Sequence, residues 1–478
     1  MADSIWLEFS HILPSKVLSL DNKKKYLRFL FVLYTLIRTF APVFRKLAIF
    51  LCLLLGALGH CLASEDSIRV TLITCSPGQE VYQLYGHTAI RIKTPSDSQT
   101  PSNSPLKGED TKQEASPLGG GLEGSVDIVF NYGVFDMSKP HFAWHFVLGH
   151  TDYMVQAIPW EYFVKDYEVR GSSITEQELN LTQAEAERLT RRLIENCLPE
   201  NCNYRYSFLY KNCTTMVRDI VEQTVFGNII YPDTLPHETA REILHHYTKE
   251  HPWAQEGNDL LLGAEVDTIM SEHSAMFIPE NMMQAFEGAI ICNTKGDQRP
   301  LVRSKKILLE AKPQVVEEEF PLLPWQAMLA FGGLCLFIML IEIWCRRIFW
   351  LWDVLLLFLQ GLAGTLLAFM FFFSEHPAVD SNWQILLLNP VAFVGIPLVI
   401  KAAIKHKRTL WYAFYFVVLA LFLLFSPWIP QVFAKITVPL ALCLLTRPIS
   451  YYFVKGKKDP PAPVRGSNVT NGKKKNKR

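Results

Sequence analysis

A chain of 478 residues has room for two or three domains, and a net charge of +1 leaves no basic surplus for nucleic acid. Its 49% hydrophobic content and mean hydropathy of +0.13 are high for a wholly soluble protein, and the excess lies toward the C-terminal end. These values exclude charge-driven nucleic-acid binding by the chain as a whole and divide it into a soluble part and a membrane part.

The first 63 residues read as an export signal or anchor. Lys23–Lys25, Arg28, Arg38, Arg45 and Lys46 precede an apolar run over 47–58, with small residues before Ala63-Ser64. This pattern predicts a signal cleaved near Ala63 or an uncleaved N-terminal helix, with the chain after Ser64 exported. Cys61 makes a poor lipobox, because His60 stands where a small residue is needed.

Residues 64–300 form the expected soluble domain. Strand patterns run over 69–75 and, after a Ser-Pro-Gly turn, 81–92, with His87 at the entrance of the strand that follows Tyr85-Gly86. Residues 94–125 are rich in Ser, Pro, Gly and charge and predict a disordered insertion. The chain re-enters the fold at VDIVFNYGVF, a further strand carrying Asn131. His141, His145 and His150 lie in an aromatic stretch without a matching ligand set, so they read as surface groups and no metal is assigned. Thr182-Gln183-Ala184-Glu185 is a capping box that opens a helix through Glu195. Cys197 and Cys202 flank a four-residue turn, which predicts a disulfide in an oxidising compartment. Cys75 and Cys292 are structural thiols or a second pair, leaving Cys213 as the odd cysteine. His237, His245, His246 and His251 read as a solvated helical face.

SFLYKNCTTMV, residues 207–217, carries the chemistry. Tyr204, Tyr206, Phe208 and Tyr210 alternate with polar residues in an extended approach, and Val217, Ile220, Val221 and Val225 follow at helical spacing. Thr214 or Thr215 can cap that helix, which puts Cys213 where free N–H groups and the helix dipole favour a thiolate. A nucleophilic thiol needs a base, and His87 is the candidate. Asn131 is expected to orient the imidazole, with Asp136 as the alternative. A histidine strand followed later by a cysteine helix resembles the circularly permuted papain-like (NlpC-like) fold, an α+β architecture. Asn212-Cys213 resembles the lecithin:retinol acyltransferase family.

A charged, proline-bearing linker over 301–324 leads to five apolar segments, 325–344, 348–373, 383–400, 410–429 and 432–453, within a transmembrane domain at 325–454. Each is near the ~20 residues that span a bilayer. Arg346-Arg347, the stretch from Lys401 to Arg408 and the basic tail 455–478 alternate with loops that lack lysine and arginine. The positive-inside rule makes the basic loops and tail cytoplasmic and the soluble domain external. Asn468-Val469-Thr470 in that tail then reads as a chance glycosylation match. The outer loop with His376 and Asn382, and Asn389-Pro390 within the third span, suggest a substrate path at the outer leaflet.

TLITCSPGQEVYQLYGHTAIRI, VFNYGVFD, FLYKNCTT and SEHPAVDSNWQILLLNP together resemble the Lnb-type lipoprotein N-acyltransferases described from Bacteroides-like bacteria. That resemblance spans roughly 68–453. It implies transfer of an acyl chain from a membrane phospholipid, through a thioester on Cys213, to a diacylated lipoprotein, without a cofactor or nucleic acid. It also implies an inner-membrane location with a periplasmic catalytic domain. The residues expected to meet substrate are Tyr85, Asn212, Thr214, His376, Asn382 and Asn389. Two other readings use the same sequence: a membrane-anchored papain-like amidase or peptidase of the cell envelope, and a non-catalytic membrane sensor or scaffold.

Overall fold

A computed structural model describes residues 67–94, 126–136, 138, 140–312 and 320–455. The export segment, the insertion beyond Thr94, residues 313–319 and the basic tail with Asn468 lie outside the described residues; the expected linker over 301–324 is corrected at its start, where Val302–Leu309 is a strand paired into the soluble domain's sheet.

The soluble domain is built on a seven-stranded antiparallel sheet in the order β10-β5-β1-β2-β3-β4-β6. Its strands are β1 (Arg69–Cys75), β2 (His87–Lys93), β3 (Asp127–Val134), β4 (Asp152–Pro159), β5 (Ile174–Leu179), β6 (Asn203–Arg205) and β10 (Val302–Leu309). A second, three-stranded sheet contains β7 (Asn228–Ile230), β8 (Ile290–Cys292) and β9 (Gln298–Pro300). The helices are α1 (Phe142–Leu148), α2 (Trp160–Arg170), α3 (Gln183–Asn196), α4 (Cys213–Glu222), α5 (Ala240–Thr248), α6 (Pro252–Leu261) and α7 (Pro279–Gly288).

Strand alternation decides what covers each face of the large sheet. Leu72, Ile90 and Phe130 share a core with Leu189 and Leu193 of α3, Val217 and Val221 of α4 and Phe286 of α7. Ile73, Ala89 and Val129 point the other way, into Phe163 and Tyr167 of α2. Both faces of β1 are therefore buried from Val70 to Cys75, the polar Thr71 and Thr74 included. The expected capping box is present: Thr182 accepts from the Glu185 N–H, and Glu185 accepts from the Thr182 N–H.

The membrane part comprises α8 (Pro324–Cys345), α9 (Trp350–Phe373), α10 (Ala392–Ile404), α11 (Trp411–Phe425) and α12 (Thr437–Lys455). Among the described residues, four helices are long and apolar enough to cross a bilayer: α8, α9, α11 with its 3-10 extension to Trp428, and α12. The expected continuous third span over 383–400 is replaced by a 3-10 turn, Trp383–Leu386, a break at Asn389-Pro390, and the short α10. Pro390 has no N–H to donate and biases Asn389 away from helical geometry. The protein accommodates the break: Gln360 Nε2 donates to the Leu387 carbonyl (2.8 Å), and a Cβ on Gly364 of α9 would stand 2.3 Å from Asn389 N. Non-helical backbone at this depth requires such protein partners.

Three charges hidden in the apolar runs hold the bundle together. Arg447 of α12 donates to Asp353 of α9 (2.6 Å) and to both oxygens of Glu342 of α8 (2.7 and 2.9 Å). Tyr412 of α11 completes the cluster by donating to Asp353 (2.9 Å).

The loops nearest the soluble domain are hydrogen-bonded to it. Asn382 Nδ2 donates to the carbonyls of Leu260 (2.8 Å) and Leu261 (3.1 Å), and Gln384 Nε2 donates to that of Asp259 (2.6 Å). Val432 N–H donates to Asp267 (3.0 Å), whose other oxygen accepts from buried Arg241 (2.6 Å). His245 takes part in this network by donating to Asp259 (2.9 Å), which corrects its reading as a solvated group.

Candidate active site

Cys213 is the first residue of α4, and the cap before it is Asn212 rather than Thr214 or Thr215. Asn212 Oδ1 accepts from the N–H groups of Thr214 (2.8 Å) and Thr215 (2.9 Å), leaving that of Cys213 unclaimed by the cap. Asn212 Nδ2 donates to the carbonyls of Phe208 (2.8 Å) and Phe277 (2.9 Å). With both ends of its amide spent and the residue buried, Asn212 fixes the turn and cannot grip substrate. Thr214 is likewise fully buried. Its hydroxyl lies 3.3 Å from that of Thr88 in β2, tying the helix start to the strand, and 3.8 Å from the Cys213 sulfur.

His87 opens β2 opposite Cys75 of β1. The residue before it must be glycine: Gly86 has φ +75°, and a Cβ there would stand 2.7 Å from the Cys75 carbonyl oxygen. The antiparallel register that pairs Ile90 with Phe130 sets Asn131 diagonally across from His87 on the same face. His87 Nε2 donates to Asn131 Oδ1 at 2.5 Å, leaving Nδ1 for the Cys213 thiol to which the ring is also hydrogen-bonded. The Tyr167 ring stacks over the imidazole at 6.4 Å. Asp136, the alternative orienting group, instead accepts from Ser138 N (2.9 Å) and Oγ (2.6 Å).

Burial alone raises a thiol and lowers an imidazole, but here the pairing reverses both. Against that burial, the His87 charge, the bond to His87 and the Thr88 N–H bring Cys213 down to about 7. His87 shifts the opposite way: burial lowers it, and the charge and hydrogen bond of Cys213 together with Asn131 carry it above its ordinary value. Each group's charged form is thus favoured by the other, the pairing that lets an imidazole take a thiol's proton. Cys75, one strand away, is instead pushed up by burial, which favours the protonated thiol.

Beside the thiol the backbone opens a small gap. Gly133 has φ +87°, and a Cβ on it would lie 3.4 Å from Cys213 Cβ and 4.0 Å from the Tyr204 hydroxyl. That hydroxyl oxygen is buried and has no acceptor for its proton among the described residues, and burial raises its pKa so that the proton stays on. An unspent buried donor beside a nucleophile can stabilise negative charge on a substrate oxygen. In the sequence Tyr204 shows only as one apolar member of an alternating run, and no local signal marks its hydroxyl as unpartnered.

The other expected substrate contacts are used elsewhere. Tyr85 accepts from Asn258 Nδ2 (2.8 Å) and packs near Tyr247. Besides donating to α6, Asn382 accepts from Gln384 N–H (3.0 Å) and Gln431 Nε2 (3.1 Å), so it is a buried clip between the two parts. Asn389 caps its own turn, with Oδ1 accepting from Val391 N–H (3.2 Å). His376 donates to the Phe146 carbonyl of α1 (2.5 Å).

Cys197 and Cys202 are both free, which corrects the expected disulfide. Cys197 ends α3 as its C-cap, and the Cys202 sulfur turns to the Pro199 carbonyl (3.6 Å). Cys75 and Cys292 are also free and sit in different sheets, so the pairing scheme does not single out Cys213; its partners do. Among the described residues, Asp219, Glu222 and His273 have the spacing to hold a metal. Arg218 already pairs with Asp219 (2.7 Å), and Tyr231 donates to Glu222 (2.8 Å).

Fold and site together define a membrane protein whose α+β domain carries a paired thiol and imidazole outside the bilayer. Residues 63–246 match the family model for the Lnb N-terminal periplasmic domain, and residues 316–459 match that for the Lnb transmembrane domain. The chain is an Lnb-type protein, with a periplasmic domain followed by membrane-spanning helices. No curated protein and no solved structure matches it.

Proposed function

We propose that this protein is a lipoprotein N-acyltransferase, with Cys213 as nucleophile, His87 as base and Asn131 orienting the imidazole in a permuted papain-like site. The observation that carries this reading is the hydrogen-bonded series Cys213–His87–Asn131 at a helix start, on a domain bonded to membrane loops. The thiolate attacks the ester carbonyl of a membrane phospholipid. The carbonyl electrons move onto oxygen, facing the Cys213 N–H and the Tyr204 hydroxyl. Collapse breaks the bond to the glycerol oxygen, which takes the His87 proton and leaves as lysophospholipid. Neutral His87 next removes a proton from the α-amine of a diacylglyceryl-cysteine lipoprotein as that amine attacks the thioester. Breaking the C–S bond returns the thiolate and imidazolium and releases the N-acylated product, so protons and electron pairs balance.

The basic loops further support an inner-membrane topology with the C-terminus in the cytoplasm. Arg408 and the carbonyl of Lys455 are joined at 2.6 Å, as expected if the basic loop and the end of α12 share one side. Alkaline phosphatase fused after Lys312 and a fluorescent protein after Arg478 should both be active.

For the chemistry, enzyme supplied with phospholipid vesicles and no amine should release lysophospholipid and accumulate a hydroxylamine-labile acyl group. Cys213→Ala should do neither, and an active Cys213→Ala enzyme would end the covalent mechanism. An envelope amidase on the same site would release no lysophospholipid.

A further inference from the structure

We propose that α1 is the entry surface for the donor lipid: Trp144 and Phe146 receive a phospholipid acyl chain from the periplasmic leaflet, and a run of rings leads it to Cys213. This rests on the acyl-transfer reading above and names the part of the protein that meets the chain. Of the residues expected to shape that path, Asn382 and Asn389 spend their amides on the fold, while His376 sits against α1, its ring 5.2 Å from that of Phe146.

The sequence of α1, FAWHFVL, leaves Trp144 54% and Phe146 47% exposed. Apolar rings of this size are costly against water. Their surroundings are fixed by where α1 is attached. Trp144 packs on Phe369 of α9 with ring centroids 4.9 Å apart, and Phe369 lies one helical turn before the end of α9 at Phe373. At ~1.5 Å rise per residue, Trp144 is held about 6 Å below the end of a spanning helix, where hydrocarbon begins. The loop leaving α9 satisfies the last carbonyls of α1: Ser374 Oγ donates to Val147 (2.7 Å), Glu375 N–H to Leu148 (2.9 Å) and His376 Nε2 to Phe146 (2.5 Å). The exposed face is therefore continuous with the lipid-facing side of α9, where Phe372 and Phe373 are 68% and 65% exposed.

From that face the rings continue inward. Phe146 stacks on Phe142 (6.2 Å) and Phe142 on Phe135 (6.0 Å), Phe135 meets Tyr153 at a tilt (5.0 Å), and Tyr153 stacks on Tyr206 (4.1 Å). Tyr206 neighbours Cys213, and Phe135 follows directly on β3, the strand that supplies Asn131 and Gly133. A bilayer phospholipid is the occupant this continuity favours, because it reaches the face without leaving the leaflet. A plain aromatic girdle would anchor the protein, a task the spanning helices already perform.

The test uses full-length protein in phosphatidylethanolamine–phosphatidylglycerol vesicles and measures acylation of Cys213 from the vesicle lipid and from p-nitrophenyl acetate, which has no chain. Trp144→Ser and Phe146→Ser should each slow acylation from vesicle lipid about tenfold or more, while acylation by p-nitrophenyl acetate stays within about twofold. Phe146→Leu, which keeps an apolar contact, should retain most of the lipid rate. In addition, Phe146→p-benzoylphenylalanine should crosslink to phospholipid under ultraviolet light, independently of how the serine variants fold. Unchanged lipid acylation in both serine variants, or no lipid crosslink, overturns the proposal. So does a serine variant that acylates normally but fails to pass its acyl group to a diacylated lipopeptide, since the face would then serve the acceptor. Wild-type enzyme acylated by p-nitrophenyl acetate but never by phospholipid would instead refute the donor reading itself.

Discussion

Replacing Asn131 with alanine isolates the orienting group from the base it holds. Asn131 Oδ1 accepts the Nε2 proton of His87 at 2.5 Å in a part-buried setting. A hydrogen bond to a charged partner is worth about 1.5–3 kcal/mol. At ~1.4 kcal/mol per tenfold, Asn131→Ala is expected to slow Cys213 acylation about 10–100-fold. That is less than the ~10²–10⁴-fold expected from removing His87 itself. Asn131 is also one of the groups holding the His87 pKa up, so its loss should weaken the imidazolium and raise the thiol midpoint above about 7. The assay is the rate of Cys213 alkylation by iodoacetamide against pH, alongside hydroxylamine-released acyl groups, with thermal unfolding as the check on folding. Asn131→Asp keeps an acceptor for Nε2 and should restore most of the rate. A folded Asn131→Ala protein with the wild-type midpoint and acylation rate would refute the orienting role.

In the wild-type protein, alkylation of Cys213 should rise as pH increases through about 7 and fall about tenfold per unit below it, because the depressed thiol is charged only above its midpoint. A midpoint near 9 would mean that the His87 pairing is absent in solution. Gly133→Val places a branched side chain at φ +87° and against Cys213 Cβ, so it should cost about 1–2 kcal/mol of stability and abolish most acylation; normal acylation would show that the gap is not used. Arg447→Leu strands Glu342 and Asp353 as buried carboxylates and should cost about 3–5 kcal/mol in detergent-solubilised protein, read as a lowered Tm. Adding Glu342→Gln and Asp353→Asn should recover much of that loss, and an undiminished Tm in the single variant would mean the cluster is not load-sharing.

What the sequence determined by itself is what short-range physics fixes. Strand-like runs bounded by turn residues mark β1, β2 and β3, the Thr182–Glu185 box opens α3, and runs of apolar residues mark the spans. The same rules place Cys213 at a helix start and His87 at a strand entrance, because caps and strand ends have local signatures. The tertiary structure decided whatever depends on partners distant in the chain. Sheet register brings Asn131 rather than Asp136 to His87, and helix packing consumes the amides of Asn212 and Asn382 that composition left free. Glu342, Asp353 and Arg447 look incompatible with apolar spans until three helices bring them together, and the third span breaks where Pro390 removes a donor that other helices can replace. A side chain's chemistry is written in its residue type, but whether that chemistry is spent on the fold or left for a substrate depends on which groups folding sets within hydrogen-bonding distance.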